Sequence, residues 1–535
     1  MAIHKNTSFT LNGATKFTAG TDTYTWSDRW IDTVTIWSGD SGKTYTSTVT
    51  LKGEDWGIGD LRFVGSAGMK VALTDGDSKS GRMIDYLLLG NAGSTVLLKS
   101  TEVDSMRGSN ASDAVTVGSG YIGSVSLRDG NDTFVGGSGG AGSIEMGNGN
   151  DKMTGGSGGV QQVSLGNGTN TYIGGSGWLG SLRGGDDNDT VTVNGGNIDM
   201  INLAFGKNVV KVQGSGSVSS LVTYDGNDEL TFSGSSSVDM IALGHGNNKI
   251  TISGAGYVGS ILTFGGNDTL VHSGSNEWSG TINLGSGNNT ITYGSTWFDA
   301  IVTYSGNDTI VTGAGGGSSI IAGGGDNSVT TGTGWVGLIS GFGGIDTVNV
   351  GAGGAAAVTT FGGNDVISVS ETEMGNASML DGGDGTDTID FSQFTIAVTA
   401  SLVSGSVYDA GTTSFLLYGF ENLVTGSGAD SLTGNSSANS LTGNEGNDTL
   451  AGGGGADRFI FATGCDADSI SDFNVSESDV IDLSGLTGIP DYDTLVADFM
   501  SQSGDDVVID AGNGDVITIL DIDIATLTES NFAFA

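Results

Sequence analysis

An acidic or amide side chain recurs along this sequence inside Gly-rich loops. Asp113, Asp132, Asp151, Asn170, Asp189, Asn208, Asp228, Asn248, Asp268, Asn289, Asp308, Asn327, Asp346 and Asp365 stand at intervals of 19, 20 or 21 residues, mostly within an Asn-Asp-Thr triplet or a near relative. Such loops bring two kinds of oxygen together. Asp supplies a carboxylate, and Gly lets the backbone curl so that its carbonyls converge, a set that suits a hard divalent cation taking about six to eight oxygen ligands. Asp387, Asp430, Asp448 and Asp457 extend the series of candidate ligands beyond the column.

Other chemistry is thinly supplied. An active site needs convergent acid, base or nucleophile groups. His4, His245 and His272 are the only histidines and form no HExxH spacing, no GxSxG occurs, and Cys465 has no basic neighbour to activate it. Paired carboxylates keep a β-helical polysaccharide lyase or epimerase open as an alternative. Against it, residues 108–380 hold only six basic residues, scattered, to stabilise developing charge. The expectation is that the protein is not an enzyme.

The elements that must position these side chains follow from the repeat. Two residues after each Asp or Asn stands an apolar column: Phe134, Met153, Tyr172, Val191, Val210, Leu230, Ile250, Leu270, Ile291, Ile310, Val329, Val348 and Ile367. Seven residues before it stands another, from Val125, Ile144 and Val163 to Ile320, Ile339 and Val358. Their neighbours are mostly Thr, Ser, Gly or Asn, which is period-two alternation in short stretches split by turns. A helix of this composition would lose heavily at each Gly. The pattern predicts an all-β parallel β-solenoid of 19 to 21 residue coils, two short strands each, with the two columns as its thin core.

Composition agrees. The chain has 535 residues, 97 of them Gly, with one Pro, one Cys and a net charge of -42. Collagen is excluded, because there is no three-residue Gly period and almost no Pro. A single Cys rules out an intramolecular disulfide framework. The acidity argues against nucleic acid and anionic membranes, and in favour of cations. No apolar run is long enough for a transmembrane helix. The opening MAIHKNTSFTLNGATKF has no apolar stretch of a secretory signal, so an export address is expected elsewhere. Residues 1–107 hold 11 basic and 12 acidic residues, whereas 381–535 hold 1 and 26.

The loops GDGTDTI, GNGND and GNEGNDTLA resemble the calcium-binding nonapeptide GGxGxDxUx of the RTX (repeats-in-toxin) family, most closely at GGDGTDTID (382–390) and in the nine-residue series of Asp430, Asn439, Asp448 and Asp457. The resemblance implies that the Asp residues and nearby carbonyls coordinate several Ca²⁺ ions and that the residue two places on enters the core. The single-loop coils look like the long solenoids of RTX adhesins. The segment ADRFIFATGCDADSISDFNVSESDVIDLSGL (456–486) is similar to the C-terminal end of serralysin-type proteins. That implies export through type I secretion machinery and folding outside a Gram-negative cell.

Four regions are expected: a β-rich cap or assembly domain (1–85), the solenoid (86–380), a calcium-binding β-roll (381–460) and a C-terminal secretion region (461–535). From Asp151 to Asp346 Asp alternates with Asn, and the position four before it carries Tyr224, Phe264, Tyr304 and Phe342 in Asp coils but Gly or Ala in Asn coils. The expectations are an aromatic ring lying over a small residue of the next coil, and a middle region less dependent on calcium than its ends. The other reading is that Asn ligates through its amide oxygen. Eleven residues before the column lie Tyr121, Trp178, Tyr257, Trp278, Trp297 and Trp335, either a contact stripe for a sister subunit or glycan, or rings folded onto a Gly-rich corner. The functional expectation is a secreted, calcium-binding structural protein of the cell surface or matrix that self-associates as a surface-layer, filament or biofilm subunit. The alternative is a calcium-dependent adhesin binding glycan through the stripe.

Overall fold

A computed structural model describes residues 8–12, 21–26, 31–37, 44–51, 58–64, 68–75, 83–275, 278–373, 378–409 and 412–535. The chain forms two compact units, 1–279 and 280–535. Each is a parallel β-solenoid with two strands per coil, as the period-two alternation predicts.

In the first unit one ladder runs through Glu102–Arg107, Ile122–Ser126, Ala141–Glu145 and Val160–Ser164 on to Val258–Leu262. The other runs through Ser94–Leu98, Ala114–Val117, Thr133–Val135 and Lys152–Thr154 on to Thr269–His272. The register places column on column, with Val125 opposite Ile144 and Phe134 opposite Met153. The same two ladders reach back past residue 86. Ser8–Asn12, Ile31–Trp37, Ile58–Val64 and Met83–Leu88 pair in parallel on one side, and Thr21–Trp26, Thr44–Leu51, Gly68–Asp75 and Ser94–Leu98 on the other. Coiling therefore does not begin at 86. These earlier coils are longer and lack the Asp column, so the repeat that marks the later ones does not mark them.

The second unit continues the plan from Thr290–Tyr293 and Trp297–Ser305. Beyond residue 424 the coils shorten to 18 residues, with Leu432 over Leu450 and Leu423 over Leu441. An antiparallel excursion (Thr399–Ser401, Ser406–Asp409, Thr412–Tyr418) packs Phe415 against Phe391 and Phe394. Near the C-terminus, Asp515–Ile519 joins Ala467–Ile470 in parallel and folds back antiparallel onto Asp506–Gly512. Helix among the described residues amounts to short turns such as Tyr492–Thr494.

All members of both aliphatic columns are buried, none more than 4% exposed. The core is wider than two columns. A third, ten residues before the Asp or Asn (Ile122, Leu179, Ile198, Val218, Val258, Val336), is buried as well. So is a fourth, four residues after it (Val193, Val212, Phe232, Ile252, Val350).

Candidate metal centre: a ladder of buried Asp and Asn

Most coils turn from the first strand to the second through five or six residues ending at the Asp or Asn, as in 127–132 between Ile122–Ser126 and Thr133–Val135. The residue two before it is Gly with positive φ in most coils, for example Gly149 at +143° and Gly168 at +110°. A side chain there would also run into the carbonyl of the coil before, Gly130 in the case of Gly149. Gly is therefore required twice over, by conformation and by approach.

The turn buries its carboxylate. All thirteen candidate Asp residues are at most 3% exposed. Their first oxygen is used structurally: within each unit the N–H of most of these Asp and Asn residues donates to Oδ1 of the counterpart in the next coil, while the Asp387 N–H donates to Glu421 Oε2 at 3.0 Å. Asp132 donates to Asp151 at 2.7 Å, Asp151 to Asn170 at 2.9 Å and Asn170 to Asp189 at 3.0 Å. In the second unit Asp308 donates to Asn327 at 3.0 Å and Asp346 to Asp365 at 2.7 Å. The residue just before forms a second ladder in the opposite sense. Asn131 Oδ1 accepts from the N–H of Asn150 at 2.8 Å, and Asn150 Oδ1 from Thr169 at 2.9 Å. This Asn column was visible in the recurring triplet but was not read from sequence as an element of its own.

The second carboxylate oxygen is the informative one. Oδ2 of Asp132, Asp151, Asp189, Asp228, Asp308, Asp346, Asp365, Asp387, Asp430 and Asp448 is buried and has no partner at hydrogen-bonding geometry. At Asp228, Asp308, Asp365 and Asp430 burial pushes the carboxyl up while the neighbouring hydroxyls of Thr223, Thr303, Thr360 and Thr425 pull it down. An orphaned buried carboxylate oxygen costs several kcal/mol unless it is protonated or meets a cation. Burial accordingly pushes the Asp132 carboxyl up to about 7 and Asp151, Asp189 and Asp346 to about 6, against the lowering effect of the accepted N–H. Asp113 differs, because its Oδ2 accepts from the N–H of Ser109 at 2.8 Å and from its hydroxyl at 3.0 Å.

In residues 424–480 both turns of each coil carry the side chain. Asp430, Asp448 and Asp468 make one ladder, and Asn439, Asp457 and Asp479 contribute to the other. Burial, with Asp468 and Asp430 adding repulsion, pushes Asp448 up to about 8. Among the described residues no three His, Cys, Asp or Glu side chains converge as a metal cage. A cation here would be held by the carboxylate oxygen of each rung together with backbone carbonyls of the turns, a hard-oxygen set that fits Ca²⁺.

The family model for the RTX calcium-binding nonapeptide repeat matches four copies, over residues 181–197 and 424–459. The chain carries RTX calcium-binding repeats. The first match contains Asp189 and the second Asp430, Asn439, Asp448 and Asp457, so the repeats coincide with the buried rungs. Among solved structures, the extracellular lipase LipA from Serratia marcescens matches with 17% identity over 40% of each chain and a TM-score of 0.19. A comparison with curated proteins found no match.

The aromatic stripe lies where the sequence places it, at the turn before the first strand. Tyr121, Trp178, Tyr257, Trp297 and Trp335 are 37–47% exposed, and the side chain of Trp278 lies outside the described residues. A methyl on Gly180 would meet the Trp178 ring at 3.0 Å and one on Gly337 the Trp335 ring at 3.4 Å, so one side of each ring covers Gly while the rest faces solvent. Trp178 Nε1 donates to Asp199 at 2.9 Å, and Trp297 and Trp335 stack at 6.4 Å.

The second aromatic column corrects the expectation made for it. Tyr224, Phe264, Tyr304 and Phe342 are 48–57% exposed, and Tyr224 and Phe264 lie against Phe205 and His245 of the coil before, while Phe342 reaches the next coil, where it meets a ring and not a small residue. The Gly of the next coil serves the backbone instead, because a side chain at Gly244 or Gly323 would strike the Tyr224 or Tyr304 carbonyl. The rings meet other turn residues: Tyr224 meets Phe205 at 5.8 Å, and Phe342 stacks on Phe361 at 5.3 Å.

Proposed function

We propose that this is a secreted, calcium-binding structural protein of the cell surface or extracellular matrix, a surface-layer, filament or biofilm subunit that folds and self-associates when calcium fills the Asp rungs. The observation that carries the reading is the ladder of buried carboxylates whose second oxygens have no partner at hydrogen-bonding geometry, repeated through both units and coinciding with the RTX repeats. A chain of this charge would emerge from type I secretion machinery unable to bury so many carboxylates, and would fold where calcium is plentiful. A structural rather than catalytic role is supported by the chemistry at hand. Burial lowers the His272 pKa to about 4, and the Cys465 thiol is buried and raised well above its usual value.

A calcium-dependent adhesin is the second reading, favoured by the partly exposed rings of Tyr121, Trp178, Tyr257, Trp297 and Trp335. Flat ring faces backed by Gly suit the apolar face of a sugar. Electron microscopy of the purified chain with and without millimolar calcium separates the readings. Ordered assemblies only with calcium support the structural role. Calcium-dependent retention on a glycan column without assembly favours the adhesin, and a fall in polysaccharide viscosity would overturn both in favour of a lyase or epimerase.

A further inference from the structure

Asn170, Asn208, Asn248 and Asn327 resolve what the Asp rungs leave open. In each, Oδ1 accepts the N–H of the preceding coil while Nδ2 donates within its own turn to the carbonyls four and two residues earlier. Asn170 reaches Gly166 O at 3.0 Å and Gly168 O at 2.8 Å. Asn208 reaches Ala204 O and Gly206 O, both at 3.3 Å. Asn248 reaches Gly244 O at 3.4 Å and Gly246 O at 3.1 Å, and Asn327 reaches Gly323 O at 3.3 Å and Gly325 O at 2.9 Å. The amide thus supplies a donor to the carbonyls that the turn directs inward.

In an Asp rung the first oxygen accepts the same backbone N–H, joined at Asp346 by Asn327 Nδ2 at 2.9 Å, and Oδ2 stands where the Asn rung has its Nδ2. An acceptor then stands where the Asn rungs put a donor, which is the arrangement a cation resolves. We infer that the Asn amide is a built-in substitute for the cation, so that between Asp151 and Asp346 calcium occupies Asp rungs only and every second coil closes without it. This rests on the reading that the Asp rungs bind calcium. A calcium ion at an Asn rung would have to break both amide donations, and the oxygen it would gain is neutral and already accepts a backbone N–H.

A second sequence difference follows the same alternation. Five residues before the rung the Asn coils carry Leu165, Leu203, Leu243, Leu284 and Ala322, all buried. The Asp coils carry Gly184, Thr223, Thr263, Thr303 and Gly341 there. Beside Asp189 and Asp346 the Gly is needed, because a Cβ would run into Oδ2. Thr223 and Thr303 keep buried hydroxyl oxygens in the same coils as Asp228 and Asp308. From Asn170 to Asp346 the Asn coils therefore pack hydrocarbon beneath the turn and the Asp coils keep room or a hydroxyl there, whereas the earlier Asp132 and Asp151 coils bury Leu127 and Met146 at that position. Occupied rungs two coils apart are ~9.6 Å apart, about a Debye length, so neighbouring ions are largely screened.

The test swaps two adjacent rungs in the full chain and counts bound Ca²⁺ by native mass spectrometry, with hydrogen exchange in chelator as the second readout. Asp189→Asn is expected to bind one ion fewer and to keep its turn protected in chelator. Asn208→Asp is expected to bind one more and to lose protection at the Asp189 amide, which donates to that side chain at 3.0 Å. A wild-type chain that binds calcium while both variants keep its count and its protection overturns the inference and leaves the calcium reading standing. A wild-type chain that binds none overturns that reading instead. Should Asn208→Asp fail to fold, Asp189→Asn decides alone, since an unchanged ion count there is sufficient to reject the substitution of amide for cation.

Discussion

Between Asp132 and Asp365, among the described residues, only one of the two turns in each coil buries an Asp or Asn, whereas from 424 to 480 both turns do. The opposite turn of the middle coils is built from Gly and Ser and satisfies itself along the backbone, with Gly158 N–H donating to Gly137 O at 2.9 Å and Gly177 N–H to Gly156 O at 3.0 Å. It needs no ion. The C-terminal coils have no such self-sufficient side. Their Asp430, Asp448 and Asp468 follow one another without an intervening Asn, and Asp448 is accordingly the carboxyl pushed furthest up, to about 8. On the proposed reading the same fold is closed in two ways, by backbone and amide on every second rung of the middle coils and by carboxylate and cation on the Asp rungs that dominate near the C-terminus. Dependence on calcium should be graded along the chain.

Chelation should break the comparison most visibly. Removing calcium is expected to lower hydrogen-exchange protection at Asp430, Asp448 and Asp457 on the order of 1,000-fold, about 4 kcal/mol for a ligand held near a thousand times its Kd. At Asn170 and Asn208 the loss should stay below ~10-fold. Equal losses in both regions would remove the distinction. Core truncation should ignore it. Ile241→Ala and Leu441→Ala, both at fully buried positions, should each cost about 2–5 kcal/mol in calcium-saturated denaturant melts.

Gly149→Ala, at φ +143° and against the Gly130 carbonyl, should cost more than ~1 kcal/mol whether or not calcium is present, because the strain lies in the backbone. An effect that vanished in chelator would place the turn's role in ion binding alone.

Acidity offers a gentler probe. Burial pushes the Asp132 and Asp448 carboxyls up to about 7 and about 8 in the fold, from an ordinary value near 3.8, so without calcium the folded state binds more protons than the unfolded chain. In chelator the melting temperature should be highest below about pH 4 as far as these groups are concerned, and should fall as pH rises through about 7 to 8. Saturating calcium should flatten or reverse that slope, since a cation requires the carboxylates deprotonated. A chelated protein that gains stability between pH 5 and 8 would contradict the assignment. The smallest effect belongs to Trp178→Ala, which leaves a partly exposed site and should shift stability by less than ~1 kcal/mol. Its informative readout is glycan retention, which should drop if the stripe is a contact surface.

Much of the fold was legible in the sequence because a solenoid repeats its physics every coil. The aliphatic columns, the Gly turns and the Asp series each recur at one spacing, and the structure buries Val125, Phe134 and Asp132 as that spacing implies. The longer coils before residue 86 were illegible because the Asp column that sets the period is missing there. The column of Ile122, Leu179, Val258 and Val336, next to the aromatic stripe, was legible as inward-pointing and is buried, whereas the column of Val193 and Val212 escaped notice because only tight packing distinguishes an inward Val from an outward one. The rings of Tyr224 and Phe342 were expected over a small residue of the next coil and instead meet Phe205 and Phe361. Their covariation with Gly was real, but it reflected the clearance of a carbonyl rather than the seat of a ring.

The sequence alone determined the architecture, the placement of the candidate ligands and the alternation of Asp with Asn, because all three are periodic and period survives in one dimension. Only the tertiary structure decided what the alternation does. Whether a side-chain oxygen caps an amide, is left without a donor, or is replaced by an Nδ2 that serves two carbonyls depends on which atoms of the neighbouring coil and of the same turn lie within ~3 Å. That is a property of stacking, and no spacing along the chain encodes it.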